Sequence, residues 1–188
     1  MDLLWRAGAV CMLSLVCAGC QKSNSAASLP SSAGTSAATS ATQQNQTLPH
    51  LDHAQPKLPT IKLWLGSAEV EAEQALSIEQ IATGMMFRKD MGENEGMLFV
   101  FGRAHRTSFY MKNTSVPLSC AYIDPDGTIL EIHDMKPLDE SPIDAHHDNI
   151  LYVLEMKQGW FQRHNIGVGT VLRTERGSLP QTYPHSRQ

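Results

Sequence analysis

A segment rich in histidine and carboxylate side chains has the residue types that bind transition metals. Its candidate ligands are His133, His146, His147 and Asp148. Imidazole nitrogens and carboxylate oxygens are suitable donors for zinc and other divalent ions. The spacing argues against a ready-made site, because His146 and His147 are adjacent and no helical pair of ligands four residues apart occurs here. A solvated acidic loop explains the same residues, so these four are only weak metal candidates and no resident metal is predicted.

A second group of polar residues could bind an anionic or polar ligand. Its members are Arg88, Lys112, Asn113, Thr114 and Asp124. Lys112, Asn113 and Thr114 end a predicted strand with an ammonium, an amide and a hydroxyl group, and Arg88 is a possible second cation. The same residue types can instead fix a loop, since Asn and Thr side chains bond to the backbone and Lys112 can pair with Asp124 or Glu155. The loop-fixing interpretation is favoured because it requires no ligand.

Recognisable catalytic motifs are absent from the sequence. There is no Ser/His/Asp order, no phosphate-binding glycine loop and no His-Glu-x-x-His segment. The formal net charge of −4 provides no broad cationic surface for a phosphate backbone. We therefore predict no cofactor and no nucleic-acid partner. Any catalysis would have to use an unfamiliar arrangement of residues.

Short apolar segments separated by turn residues are typical of strands, and they begin at Ile61. The predicted strands lie at 61–65, 68–72, 96–101, 108–112, 119–123, 128–132, 150–156 and 170–173. Ser77 and Gln80 form a capping box that predicts a short helix ending at Thr83, and a helical turn is expected near 160–164. This pattern predicts a mainly β fold, either a small antiparallel barrel or a sandwich of about seven strands with one or two short helices.

An uncharged, apolar run at residues 7–20 is shorter than the roughly 20 residues that a membrane-spanning helix needs. It is typical of a signal-peptide core. The final residues Ala18, Gly19 and Cys20 resemble a lipobox, in which the cysteine is acylated before the signal is removed. Cys17 departs from that pattern, which usually has Leu at this position. An ordinary secretory signal that leaves a soluble exported protein is the alternative.

Composition divides the chain into four segments. We predict a signal peptide at 1–19, a lipidated Cys20 with a disordered linker over 20–59, a β-rich globular domain at 60–176 and a flexible tail at 177–188. The linker is rich in Ser, Ala, Thr and Gln and offers little apolar surface to bury. Gln21 after the cysteine resembles the sorting signal for an outer membrane, so the expected location is that membrane, facing the periplasm.

The four cysteines are distributed unevenly, since only Cys120 lies in the predicted domain. A disulfide framework is therefore excluded for the domain. An exported protein with one remaining thiol is safest when that thiol is buried, and the alternating segment 119–123 can bury it. We expect Cys120 to be a structural core residue.

Three sequence blocks carry a family resemblance. They are Gly84-Met-Met-Phe-Arg88, Gly96-Met-Leu-Phe-Val-Phe101 and Phe109-Tyr-Met-Lys-Asn-Thr-Ser-Val-Pro-Leu118. They resemble the signature blocks of the bacterial and archaeal family known as domain of unknown function 192, and the resemblance continues to about Arg173. It implies a small β-barrel-like fold that is often exported, and it implies no established activity. Two positions differ from the family pattern, with Tyr110 in place of tryptophan and Ser119 in place of aspartate. A mechanism that needs the missing carboxylate is in doubt for this chain.

These observations lead to two functional hypotheses, with a purely structural domain as the third possibility. The first is a non-enzymatic binding or accessory module of the cell envelope, anchored through Cys20, with an unknown envelope ligand or protein as its partner. Its expected binding surface surrounds Arg88, Lys112, Asn113 and Thr114. The second is an uncharacterised envelope enzyme, assisted by a metal at His133, His146, His147 and Asp148.

Overall fold

The computed structural model describes residues 50–184. The elements follow the order β1 (Thr60–Leu65), β2 (Ala68–Ala75), α1 (Ile78–Thr83), β3 (Glu95–His105), β4 (Ser108–Phe109), β5 (Leu118–Ile123), β6 (Ile129–Met135), β7 (Ile143–Asp144), β8 (Ile150–Lys157), α2 (Trp160–Arg163), β9 (Leu172–Thr174), β10 (Gly177–Ser178) and α3 (Leu179–Thr182). The predicted signal peptide, Cys20 and most of the predicted linker lie outside the described residues. Within 50–184, no helix combines the length and apolar character needed to cross a bilayer.

Eight strands form one sheet in the order β10-β9-β1-β2-β3-β8-β5-β6, and β4 pairs with β7 in a small second sheet. All neighbours in the large sheet are antiparallel except β2 and β3. These two can run parallel because α1 carries the chain back between them. The prediction of a mainly β fold is confirmed. The sheet is open rather than closed into a barrel, and of the two predicted architectures the sandwich fits.

The large sheet has an apolar cluster on each face. Along β8, Tyr152, Leu154 and Met156 belong to one cluster, while Val153 belongs to the other. Because successive strand side chains point to opposite faces, a strand covered on both sides must be apolar throughout. This explains the nearly continuous apolar sequence of β8. Cys120 lies in the second cluster and is fully buried, as predicted.

Helix α1 begins and ends where its sequence predicts. The backbone N–H of Gln80 donates to Ser77 Oγ at 3.2 Å, and the N–H of Ser77 donates to Gln80 Oε1 at 3.0 Å. The helix stops at Gly84, whose φ of 48° is accessible to glycine. The strands predicted at 61–65 and 68–72 are likewise confirmed as β1 and β2, which pair as a hairpin with Leu63 opposite Val70.

Strand β4 is shorter than the predicted strand at 108–112. The N–H of Met111 donates to the carbonyl of Asp139 at 2.8 Å, and that of Thr114 returns to the carbonyl of Met111 at 3.1 Å. Asn113 has a left-handed φ of 54°, which ends the extended conformation. The chain therefore turns after Phe109, and β4 pairs with β7 instead of continuing as a long strand.

Buried and paired residues lie beyond both predicted domain boundaries. The predicted tail at 177–188 is wrong over 177–182, because β10 pairs with β9 and Leu179 is fully buried. The predicted linker is wrong at its end, because Gln55 and Leu58 are buried against the domain. Gln55 Nε2 donates to the carbonyl of Gly84 at 2.8 Å. Isolated anchoring residues of this kind are difficult to recognise in a polar segment.

Candidate functional site

Arg88 is engaged with another side chain rather than free to bind an anion. Its Nη2 lies 2.9 Å from Glu73 Oε2, and the two side chains are only 19% and 11% exposed. Glu73 Oε2 also accepts the N–H of Leu58 at 2.7 Å. This ion pair fixes the segment before β1 and neutralises most of the charge that a ligand would use. Arg88 Nε is buried and has no hydrogen-bond partner among residues 50–184.

Lys112, Asn113 and Thr114 form a turn next to the Arg88 segment. Thr114 Oγ1 donates to the carbonyl of Lys112 at 3.0 Å, and the carbonyl of Asn113 accepts the N–H of Phe87 at 2.8 Å. Ser115 Oγ approaches the carbonyl of Arg88 at 3.5 Å. The structure therefore brings the two predicted segments together through backbone contacts. These contacts are those of a loop-fixing network.

Asp124 lies at the other end of β5 from this turn. Its Oδ1 accepts the N–H groups of Asp126 at 3.0 Å and Thr128 at 2.8 Å, which closes the tight turn between β5 and β6. The length of β5 separates it from the turn at Lys112. Asp124 is thus a turn residue, and the structure does not bring it to the other four candidates.

Ser119, where the family resemblance expects aspartate, links three parts of the chain. Its hydroxyl donates to Asp134 on β6 and accepts the N–H of Gly159 at 2.9 Å, just before α2. The position is buried. In this chain, therefore, the carboxylate at this corner of the fold belongs to Asp134 and not to residue 119.

An apolar cavity of about 530 Å³ opens beside β3, between α1 and the segment around β4. Its walls include Ile81, Phe99, Phe101 and Phe109. Of the five polar residues that the sequence predicted to bind a ligand, only Thr114 lines this cavity. Ligand pockets of small molecules typically enclose about 300 to 1,000 Å³ and are mostly apolar with a few polar groups. This cavity has both the size and the character of such a pocket.

Glu155 is the acidic residue that lines this cavity. It lies in the middle of β8, opposite Met97 of β3 and Cys120 of β5, and it is buried. Its Oε2 has no hydrogen-bond partner in the described part of the chain. Burial raises the pKa of this carboxyl to about 8, because transfer out of water disfavours its charged form. A carboxyl in this state can donate a hydrogen bond when protonated or pair with a cation when ionised.

Cys120, next to Glu155, is not a reactive thiol. Burial, and then the neighbouring Glu155, raise its pKa well above the ordinary value. The thiolate is the nucleophilic form of cysteine, so a raised pKa makes the side chain inert. This agrees with the structural role expected from the sequence.

A second cavity, of about 510 Å³, is lined by charged residues and includes Arg88. Four of its five charged side chains are already paired with one another, because Arg88 pairs with Glu73 and Lys57 Nζ lies 3.4 Å from Glu95 Oε1. A ligand here would have to displace these ion pairs. The apolar cavity with its unpaired carboxyl is the stronger candidate for a binding site.

A separate polar cluster surrounds Glu131 on β6. His133 Nε2 lies 3.0 Å and His146 Nδ1 2.8 Å from Glu131 Oε2, while His147 Nδ1 lies 2.6 Å from Oε1. Burial alone would raise the pKa of Glu131, but hydrogen bonds from His147, His133 and His146 outweigh it and hold the pKa at about 2. Glu131 is therefore ionised at neutral pH.

The structure joins three of the four weak metal candidates through a residue that sequence reasoning missed. His133, His146 and His147 all contact Glu131, whereas Asp148 is not part of the group of ligand atoms. Glu131 and His133 are two positions apart on one strand and so share a face. The two-residue spacing of Glu131 and His133 was therefore the feature of the sequence that could have placed the two side chains together. Glu155 was harder to find, because one acidic residue in an apolar strand gives no sign of an unpaired oxygen.

Comparisons with known proteins identify a family but no activity. The profile of the family DUF192, described as "Uncharacterized ACR", matches residues 61–174. No curated protein matches the chain. A solved structure from Sinorhizobium meliloti 1021, described provisionally as a transcription regulator, is 31% identical with a TM-score of 0.61, and the match covers 64% of this chain and 98% of that one. A protein of unknown function from Novosphingobium aromaticivorans DSM 12444 is 27% identical with a TM-score of 0.56, and the match covers 64% and 93%.

Proposed function

This chain belongs to the DUF192 family, and because that family is uncharacterised we propose, from the geometry of its cavity and from its N-terminal sequence, that it is a non-enzymatic binding module of the cell envelope. Its ligand is a small molecule with an apolar body and a head group that carries N–H or O–H donors. The apolar body occupies the cavity beside β3, and the head group meets Glu155. This replaces the surface around Lys112 as the expected binding position.

The single observation that carries the proposal is Glu155 Oε2, which has no hydrogen-bond partner among residues 50–184 and lies in a cavity lined mainly by apolar surface. A buried polar group without a partner destabilises a protein by about 1 to 3 kcal/mol, and more if it is charged. A ligand that supplies the missing hydrogen bond recovers that free energy on binding. An amine is favoured over an alcohol, because an ammonium group also stabilises the ionised carboxylate. A carboxylate head group is disfavoured, since it repels the ionised form of Glu155.

The binding preference can be tested with three probes that share one alkyl chain. Octylamine, octanol and octanoate are titrated into the full chain and followed by calorimetry at neutral pH. We expect octylamine to bind more tightly than octanol or octanoate, because only the ammonium group can stabilise the ionised form of Glu155 and pair with it. In Glu155→Gln the affinity for octylamine should fall about 10-fold or more, because a hydrogen bond to a charged group contributes about 1.5 to 3 kcal/mol. Equal affinities for all three probes would contradict the role given to Glu155.

A cavity-filling variant tests the location of the ligand independently. Gly102 lines the cavity, and a Cβ atom there meets no atom within 4 Å, so Gly102→Phe places a ring in open space. Gly167 is the matched control, because its Cβ would also be unobstructed and it does not line the cavity. Gly102→Phe should abolish octylamine binding, whereas Gly167→Phe should leave it unchanged. Loss of binding in both variants, or in neither, would contradict the proposed position of the ligand in this cavity.

The proposal also includes a membrane anchor at Cys20. The lipobox-like residues 18–20 and the polar segment that follows them support an acylated cysteine at the end of a long tether. Gln21 supports an outer-membrane location facing the periplasm. In this arrangement the membrane is the first partner of the protein, and the small ligand is the second.

Cys20→Ser should release the protein from the membrane. Cells that express the variant are grown with radiolabelled palmitate and then fractionated. We expect the wild type to carry label and sediment with membranes, and the variant to lose both properties, because one acyl-bearing thiol provides the attachment. Cys11→Ser is the control and should keep both, since Cys11 precedes the lipobox-like residues. An unlabelled wild type would indicate the soluble exported form instead.

A further inference from the structure

The Glu131 cluster has a geometry that simple loop fixing does not require. Glu131 Oε1 is held by the backbone N–H groups of His146 and His147 at 2.8 and 3.0 Å. These bonds orient the carboxylate so that Oε2 faces two imidazole nitrogens. Glu131 is only 7% exposed, so its position is rigid, while the His146 side chain is 80% exposed. A fixed carboxylate and two converging imidazoles thus meet at an edge that solvent reaches.

The separations of the three donor atoms fit one metal ion. One candidate ligand atom each from Glu131, His133 and His146 lies within 4.8 Å of the other two. Around a tetrahedral zinc with bonds of about 2.0 to 2.1 Å, neighbouring donors are roughly 3.3 Å apart. Small rotations of the exposed His146 side chain are enough to reach that geometry. Two imidazoles and a carboxylate are a donor set that zinc and other late divalent metals accept.

We propose that Glu131, His133 and His146 bind one divalent transition-metal ion of the zinc class. His147 is a positioning residue in this site, because its Nδ1 contacts Glu131 Oε1 at 2.6 Å, on the oxygen away from the metal. Outer contacts of this kind hold a metal-binding carboxylate in orientation. Three protein ligands leave one tetrahedral position for water or for a donor atom of another molecule. A metal with such an open position can bind an additional ligand. The proposed site therefore supports the second functional hypothesis, an envelope enzyme assisted by a metal.

The site is independent of the apolar cavity. None of its three ligands lines that cavity, whose acidic residue is Glu155. Failure to bind metal would leave the proposed cavity ligand unaffected, and failure to bind octylamine would leave the metal site unaffected. The cavity ligand and the metal site are therefore tested by separate measurements.

Zinc titration of the full chain tests the site. Protein purified in detergent is treated with EDTA, dialysed and titrated with Zn²⁺ by calorimetry, with Mg²⁺ as the comparison ion. We expect one equivalent of Zn²⁺ to bind and Mg²⁺ to give no signal, because Mg²⁺ prefers oxygen ligands. Substitution with Co²⁺ should give the visible absorption of a tetrahedral site. A wild type that binds no stoichiometric Zn²⁺ overturns the proposal.

Single substitutions distinguish a metal site from a hydrogen-bonded cluster. His146→Ala changes an exposed side chain, so the fold should survive while zinc affinity falls by more than about 100-fold. His133→Ala should have the same effect, and His147→Ala a smaller one of about 10-fold. His53→Ala is the control, because His53 is exposed and contacts Asp52 outside the cluster. Unchanged zinc affinity in His146→Ala would show that the ion binds elsewhere and would refute the assignment.

Discussion

Glu155→Gln is expected to stabilise the protein at alkaline pH and to remove most of the pH dependence of its stability between about pH 5 and pH 8. In the native state burial holds the pKa of Glu155 at about 8, whereas the ordinary value is 4.5. The native state therefore keeps a proton that the unfolded chain has already released. The free energy of unfolding is highest below the unfolded pKa and falls as the pH rises through the native one. Each pKa unit corresponds to about 1.36 kcal/mol, so the free energy of unfolding of the wild type should fall by roughly 4 kcal/mol by about pH 8.

Urea unfolding of both proteins at a series of pH values measures this effect. Glutamine keeps the shape of the side chain and cannot ionise. The free energy of unfolding of the variant should therefore match that of the wild type within about 1 kcal/mol near pH 5, and should exceed it by several kcal/mol near pH 8. Glu140→Gln is the control, because Glu140 is exposed, and it should leave the pH profile unchanged. A wild-type profile that is flat over this range would show that Glu155 ionises normally. The carboxyl would then have a partner, and the proposed ligand would lose its main support.

Trp160→Ala should destabilise the fold by about 3 to 5 kcal/mol, the usual range for removing a large buried aromatic side chain. Trp160 is fully buried in the first apolar cluster at the start of α2. Its Nε1 donates to Asn94 Oδ1 at 3.2 Å, which ties α2 to the residue before β3. Its ring also stacks on His164, with centroids 4.3 Å apart. The substitution removes apolar contacts, a hydrogen bond and this stacking together.

Trp64→Ala provides the comparison for this prediction. Trp64 is only partly buried, and its Nε1 bonds to the exposed Glu69 at 3.2 Å. Its loss should destabilise the protein by no more than about 2 kcal/mol, because the side chain buries less area. Equal losses for the two variants in urea unfolding would mean that Trp160 does not anchor the core as its burial indicates. An unchanged slope with denaturant would show that both variants still unfold in one step.

The sequence predicted those strands and helices whose own residues specify them, through alternation or capping. The hairpin of β1 and β2 has alternating residues around Gly66, and α1 has both halves of its capping box at Ser77 and Gln80. The two-residue strands β7 and β10 were not predicted, because two positions contain too little alternation to detect. The parallel pairing of β2 with β3 was missed for another reason. It depends on where α1 packs, which is a tertiary property.

The candidate sites were predicted unevenly, because their chemistry depends on neighbours distant in sequence. His133 and His146 were identified by residue type, but the carboxylate that joins them, Glu131, contacts a loop 15 residues away. Glu155 was noted only as a possible partner of Lys112. The importance of Glu155 comes from the absence of a partner for its Oε2 within the described chain, and burial of that kind emerges only after the sheet has formed.

The position of β9 and β10 affects the order in which the chain can fold. These last strands complete the sheet beside β1, the first strand, so the edge of β1 remains unpaired until about residue 174 is available. Pairings between distant parts of a chain slow folding, and an uncovered strand edge can recruit other chains. During synthesis, therefore, the nascent domain passes through a period in which β1 and β2 form an open edge. A chain shortened before β9 would keep that edge permanently and should aggregate even though every residue of both proposed sites is present.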